Sequence, residues 1–139
     1  WKHWARGSTY LQANRKEVAC LMGRPERSAG TEEIRSFCRQ ALDLGLSAVF
    51  VTLGREGALL ATPSGEKMIS LKCGPEVLDT TGCGDVFGAA TVSALLRGAA
   101  AEDAGRFGVD LASRAAQVAG VRETYELARR VAADLTGRP

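Results

Sequence analysis

Histidine is nearly absent from this chain: among 139 residues there is one, His3. Four cysteines, Cys20, Cys38, Cys73 and Cys83, are scattered without a C-x-x-C pair. These shortages argue against a zinc site, which draws on clustered thiolates and imidazoles. Buried, reduced thiols in a cytoplasmic protein are the expectation. No long run of one charge sign occurs, and 18 basic against 16 acidic residues leave a net charge of +2. Such an even balance offers no electrostatic footprint for nucleic acid or for a membrane surface. Apolar runs are far too short for a spanning helix, and no signal-peptide layout is present. Repeats are missing, and the only biased stretch is the short alanine turn at Ala99–Ala101. What remains is a chain of 45% hydrophobic content, about one domain by length and long enough for a sizeable core.

The local patterns alternate between helix and strand. Ser8 to Ala13 predicts a short strand that delivers Asn14. Asn14 with Glu17 three residues on forms an Asn version of the capping box, and the helix it opens ends at Gly23, just before Pro25. Thr31 is the expected cap of a second helix, in which Ile34, Phe37, Cys38, Ala41, Leu42 and Leu44 recur at helical spacing until Gly45. The apolar run Ala48 to Leu53 follows at once. Helix followed by buried strand marks an α/β layer with a parallel sheet. Gly57 to Thr62 and Lys67 to Lys72 predict a hairpin around Pro63-Ser-Gly-Glu66. Leu71 to Leu78 reads as an extended lead-in broken by Gly74 and Pro75. Gly84 to Arg97, Ala101 to Gly120 and Thr124 to Leu135 predict three further helices. The second uses Phe107, Leu111, Ala115 and Val118, and the third Leu127, Val131 and Leu135.

The chemistry concentrates in Asp79-Thr-Thr-Gly-Cys-Gly-Asp-Val-Phe87. Gly82, Cys83 and Gly84 lie where a loop becomes a helix, and Asp85 falls in the first helical turn. Unpaired N–H groups and the helix dipole make such a start attractive to phosphate, and small residues admit close approach. A carboxylate next to that anion could take the proton of an attacking hydroxyl. The plainer reading is a glycine loop with an acidic residue that merely stabilises the helix start. Cys83 also carries two readings: a thiol activated by the helix N-terminus, or a small residue filling space.

Asp79 to Phe87 resembles the C-terminal signature of the ribokinase-like carbohydrate kinases, the phosphofructokinase B-type family, written D-[TA]-x-G-A-G-D-x-F. Cys83 stands in place of the usual Ala. Val51-Thr-Leu-Gly-Arg-Glu-Gly-Ala-Leu-Leu60 resembles the family's T-L-G-x-x-G segment. Asn14-Arg-Lys-Glu17 with Leu21-Met-Gly23 resembles its N-x-x-E…L-[TM]-G element. Three such motifs in one order are a far stronger signal than any alone. Each keeps a structural alternative: a helix cap for Asn14 and Glu17, and turn glycines for Gly54 and Gly57.

The resemblance implies an α/β fold, a partial three-layer αβα core comprising the C-terminal, nucleotide-binding part of a ribokinase-like domain across residues 1–139. The N-terminal half, with most sugar contacts and the lid, is expected to be missing. Also implied is ATP-dependent phosphorylation of a hydroxyl of a sugar or sugar-like substrate. Asp85 would be the base, with the Gly82, Cys83 and Gly84 amides as the anion hole. Asn14, Thr52, Leu53, Gly54, Arg55, Glu56, Gly57 and Gly84 would line the nucleotide, and Glu17 would hold Mg²⁺ through water. Asp79 and Thr81 match positions whose oxygens bind a monovalent cation in some relatives, which makes K⁺ a further candidate. A homodimer of the full-length protein is compatible with the family, and no nucleic-acid or membrane partner is implied. The alternative is a non-catalytic nucleotide-binding or regulatory module of the same fold. Towards the C-terminus the family's Gly-Ala pair is missing, with Gly120 the nearest substitute.

Overall fold

A computed structural model describes residues 1–70, 77–120, 122–126 and 129. The chain divides into two compact units, Trp1–Ser70 and Leu71–Pro139.

The first unit opens with a short helix, α1 (Lys2–Ala5), and continues through β1 (Tyr10–Asn14), α2 (Arg15–Leu21), α3 (Thr31–Leu42), β2 (Ala48–Thr52), β3 (Ala58–Thr62) and β4 (Gly65–Ile69). The sheet order is β1-β2-β3-β4. β1 and β2 run parallel because two helices separate them in sequence, whereas β2–β3 and β3–β4 are antiparallel neighbours joined by tight turns. The fold is therefore α/β with a mixed sheet. Val18, Ala19, Ile34, Phe37, Cys38 and Ala41 of α2 and α3 meet Ala13, Val49, Val51 and Ala61 of the sheet in one buried cluster. All four residues from Ala48 to Val51 are buried, as a strand covered on both faces requires. Burial pushes the Cys38 thiol up to about 12, so it is an inert core residue.

The parallel register sets Asn14 directly beside Thr52 at the C-terminal ends of β1 and β2. Two of the three sequence motifs thus share one edge of the sheet, where ligands of open α/β sheets gather.

The second unit contains α4 (Cys83–Leu96) and α5 (Ala101–Ala115), which pack closely on each other. A methyl group built on Gly108 would lie 2.2 Å from Thr91 Oγ1 and 3.0 Å from the Phe87 ring. Only glycine permits that approach. The buried face of α5 is accordingly Ala104, Gly105, Gly108, Leu111 and Ala115, while Phe107 and Val118 are half-buried.

Several expected boundaries move. α3 is capped by Gly30 rather than Thr31: the Gly30 N–H donates to Glu33 Oε2 at 3.1 Å, so the box closes from the Glu33 side. β4 begins at Gly65, leaving Pro63-Ser64 as the turn. α5 stops at Ala115, before the left-handed Gly120 (φ 94°). The lead-in over 71–76, with Cys73, lies outside the described residues, as do Leu127, Val131 and Leu135 of the expected last helix. No helix among the described residues is long and apolar enough to cross a membrane.

Candidate nucleotide and phosphate sites

In the first unit, Asn14 caps α2. Its Oδ1 accepts from the Lys16 and Glu17 amides, both at 2.9 Å, while Glu17 Oε2 accepts from the Asn14 amide at 2.7 Å. The capping role of this motif is therefore real. It leaves Asn14 Nδ2 and Glu17 Oε1 without a hydrogen-bond partner among the described residues, and Glu17 is exposed. One free carboxylate oxygen suits a water-mediated contact to a cation better than direct ligation. No group of three potential metal ligands occurs among the described residues.

After β2 the chain makes a single 3₁₀ turn over Gly54–Glu56. Gly54 and Gly57 are both left-handed, at φ 64° and 97°. At Gly57 a Cβ would lie 2.0 Å from the Ile69 carbonyl oxygen, so β4 alone demands glycine there. At Gly54, among the described residues, nothing lies within 4 Å of a built Cβ. Leu53 is committed to the turn: its N–H donates to the Gly57 carbonyl at 2.8 Å, its carbonyl accepts from Glu56, and its side chain packs on the core. Arg55 and Glu56 are exposed.

In the second unit, Asp79 organises the loop ahead of α4. Its Oδ1 accepts from the Thr81 amide at 2.8 Å and its Oδ2 from the Gly120 amide at 3.3 Å. These bonds, the Thr81 amide first, hold the carboxyl below its usual range. The Leu78 and Asp79 amides both donate to the Ala116 carbonyl, tying the loop to the end of α5. Each Asp79 oxygen thus accepts one amide hydrogen bond, and the two together brace the loop. Gly120, left open by the motif comparison, is where the loop is anchored.

Gly82 is the N-cap of α4, left-handed at φ 77°. The Cys83 N–H donates to the Thr80 carbonyl at 3.2 Å, and Val86 makes the first helical bond, to the Gly82 carbonyl. Among the described residues the amides of Gly82, Gly84 and Asp85 have no hydrogen-bond acceptor. No atom among the described residues lies within 4 Å of a Cβ built on Gly82 or Gly84, and Asp85 is exposed. Among them the turn is open and the carboxylate faces out. The sequence reading placed the Cys83 amide in the anion hole; in the fold that amide is paired and the Asp85 amide is not, a difference of one 3₁₀-like bond that residue types do not reveal. Burial, then the neighbouring Asp79 charge, raises the Cys83 thiol pKa, which favours the space-filling reading over an activated thiol.

The sequence pattern of the pfkB family carbohydrate kinases matches residues 1–128. The chain belongs to this family. A ribokinase from Arabidopsis thaliana is 37% identical over 112 residues, which is 79% of this chain and 29% of the relative. A sugar kinase from Archaeoglobus fulgidus is 29% identical over 119 residues, covering 85% of this chain and 44% of the relative. Among solved family folds, the ribokinase of Thermotoga maritima superposes with a TM-score of 0.78 at 27% identity, over 94% of this chain and 44% of that one. The fold is therefore ribokinase-like, and the chain spans less than half the length of these relatives.

Proposed function

We propose that the chain is the nucleotide-binding part of a kinase that transfers the γ-phosphoryl group of ATP to a hydroxyl of a sugar or sugar-like substrate. One observation carries the reading: the amides of Gly82, Gly84 and Asp85, which have no acceptor among the described residues, border a turn beside the exposed Asp85 carboxylate. Family membership supports it, and the Arabidopsis thaliana ribokinase of similar fold (TM-score 0.74, 28% identical) was solved with ribose and ATP.

In this reading the Gly82 and Gly84 amides bind the oxygens of the transferring phosphoryl group, adding to the positive end of α4. The substrate hydroxyl attacks phosphorus as Asp85 accepts its proton. The new O–P bond forms while the bond to the bridging β–γ oxygen breaks, and ADP leaves. General-base assistance of this kind supplies about 10²–10⁴-fold. Within the first unit, Glu17 Oε1 would hold Mg²⁺ through water, since Mg²⁺ keeps several of its waters, and the ion would supply charge to offset phosphate. In the same unit, Thr52, Gly54 and Arg55 at the C-terminal end of β2 would contact a nucleotide. A cytoplasmic location suits such a reaction and the free thiols of Cys20, Cys38 and Cys83.

The test is sugar-dependent ADP release by the protein completed to the relatives' length, with and without Asp85→Asn. The substitution should abolish turnover and leave the Kd for Mg-ATP within about twofold, as loss of a group that acts only in the transition state does. Equal turnover would remove Asp85 from the role of base. Because the chain spans 44% of the Thermotoga maritima ribokinase, a second reading holds for the chain alone: nucleotide binding without sugar phosphorylation. ADP release by the completed protein but not by the 139-residue chain would support it.

A further inference from the structure

Arg15 occupies one of the variable positions of the N-x-x-E motif and Glu56 one of those of T-L-G-x-x-G, so neither is fixed by the motif it sits in. In the fold they meet. Arg15 Nη2 donates to Glu56 Oε1 at 2.9 Å across 41 positions of sequence. The same guanidinium reaches the Ala29 carbonyl at 3.4 Å through Nη1, and the Arg15 carbonyl accepts from the Ala29 amide at 2.9 Å. Arg15 is thereby fastened to the loop behind it while its other nitrogen holds the turn in front. Its side chain is 28% exposed against 64% for Glu56, so the arginine end is the anchored one.

We infer that Arg15 and Glu56 form a positioning pair that holds the Gly54–Glu56 turn against the start of α2, and that Glu56 serves the nucleotide site through Arg15 without touching the nucleotide. The inference rests on the nucleotide reading above. Pairs this exposed add little to global stability. The effect belongs to geometry: the backbone at Gly54 can follow a ligand only if the turn sits in register with Asn14 and Glu17, and small displacements of positioning groups are costly. Arginine suits the task because its planar fork donates in two directions at once; lysine would hold Glu56 or Ala29, not both.

The experiment measures two quantities on the 139-residue chain: the Kd for Mg-ATP by calorimetry, and hydrogen exchange of the Gly57 amide, which bonds to the Gly54 carbonyl at 3.1 Å. Arg15→Ala and Glu56→Ala should each speed Gly57 exchange and weaken Mg-ATP by about tenfold, and the double variant should be no worse than either, as for two residues acting as one contact. Arg15→Lys should fall between, and the reversed pair Arg15→Glu/Glu56→Arg should recover part of the loss, with melting temperatures near wild type throughout. Unchanged Kd and exchange in Arg15→Ala would overturn the inference. So would losses that multiply in the double variant, because Glu56 would then contact the nucleotide itself. A wild-type chain that fails to bind Mg-ATP would overturn the nucleotide reading, and the inference with it, before any substitution is made.

Discussion

Gly57 illustrates how a single backbone position can belong both to a motif and to the fold. Its φ of 97° and the 2.0 Å approach of the Ile69 carbonyl to a built Cβ are demands of the hairpin. Gly57→Ala should therefore cost at least about 1–3 kcal/mol in thermal or chemical unfolding, with or without nucleotide. A neutral outcome would mean that the turn relaxes freely. Glu33 gives a residue-scale prediction in pH. Arg27, which pairs with it through two 2.7 Å bonds, is the main reason its carboxyl sits at about 2 rather than 4.5, with the Gly30 amide and Arg24 assisting. The folded value is depressed, so the unfolded chain binds the extra proton. The stability is fully present above about pH 4.5 and is lost as the pH falls towards about 2. Glu33→Gln should lower stability above about pH 4.5 and flatten the acid profile below it, so that variant and wild type converge as the pH falls towards about 2; an unaltered acid profile would contradict the pairing. At this scale the sequence was legible where the signal was local. The Asn14–Glu17 box spans one helical turn, and its spacing is its geometry. The Cys83 thiol was not, since its environment is made by burial and by Asp79.

At the scale of elements, the α4–α5 pair depends on small residues. Thr91 is buried at 3% exposure, and among the described residues its Oγ1 has no hydrogen-bond partner. Leaving a hydroxyl buried and unpaired costs about 1–3 kcal/mol, so Thr91→Val should raise the melting temperature, by about 2–4 °C for each kcal/mol recovered. Gly108→Ala should do the reverse, forcing the helices apart against Thr91 and Phe87 at about 1–3 kcal/mol. A stabilised Gly108→Ala variant would show that the crossing has slack. β2 and α3 could be placed from sequence because each carries an unbroken apolar signature, continuous in Ala48–Val51 and helically spaced from Ile34 to Ala41. Their partners could not be placed. Parallel pairing of β1 with β2 brings Asn14 to Thr52, and that register is a tertiary fact. The start of β4 and the end of α5 were misplaced by a few residues because Pro63-Ser64 turns more tightly than its composition suggests and because Gly120 follows the helix without capping it.

For the whole molecule, the family was readable from three short motifs because each preserves a backbone requirement. The substrate was not, since the pfkB family has members acting on different sugars and this chain spans 44% of the Thermotoga maritima ribokinase. A functional nucleotide site has a consequence for stability that needs no knowledge of the sugar: Mg-ATP at a hundredfold excess over Kd should stabilise the chain by about 2.7 kcal/mol. A melting curve indifferent to Mg-ATP would leave only the fold. The most direct measurement is a titration of the ¹⁵N-labelled chain with a non-hydrolysable Mg-ATP analogue, following backbone amides by NMR. The account predicts that Gly82, Gly84 and Asp85 shift most and that Cys83, already bonded to the Thr80 carbonyl, shifts less. Shifts confined to other regions, with those three amides unmoved, would contradict it.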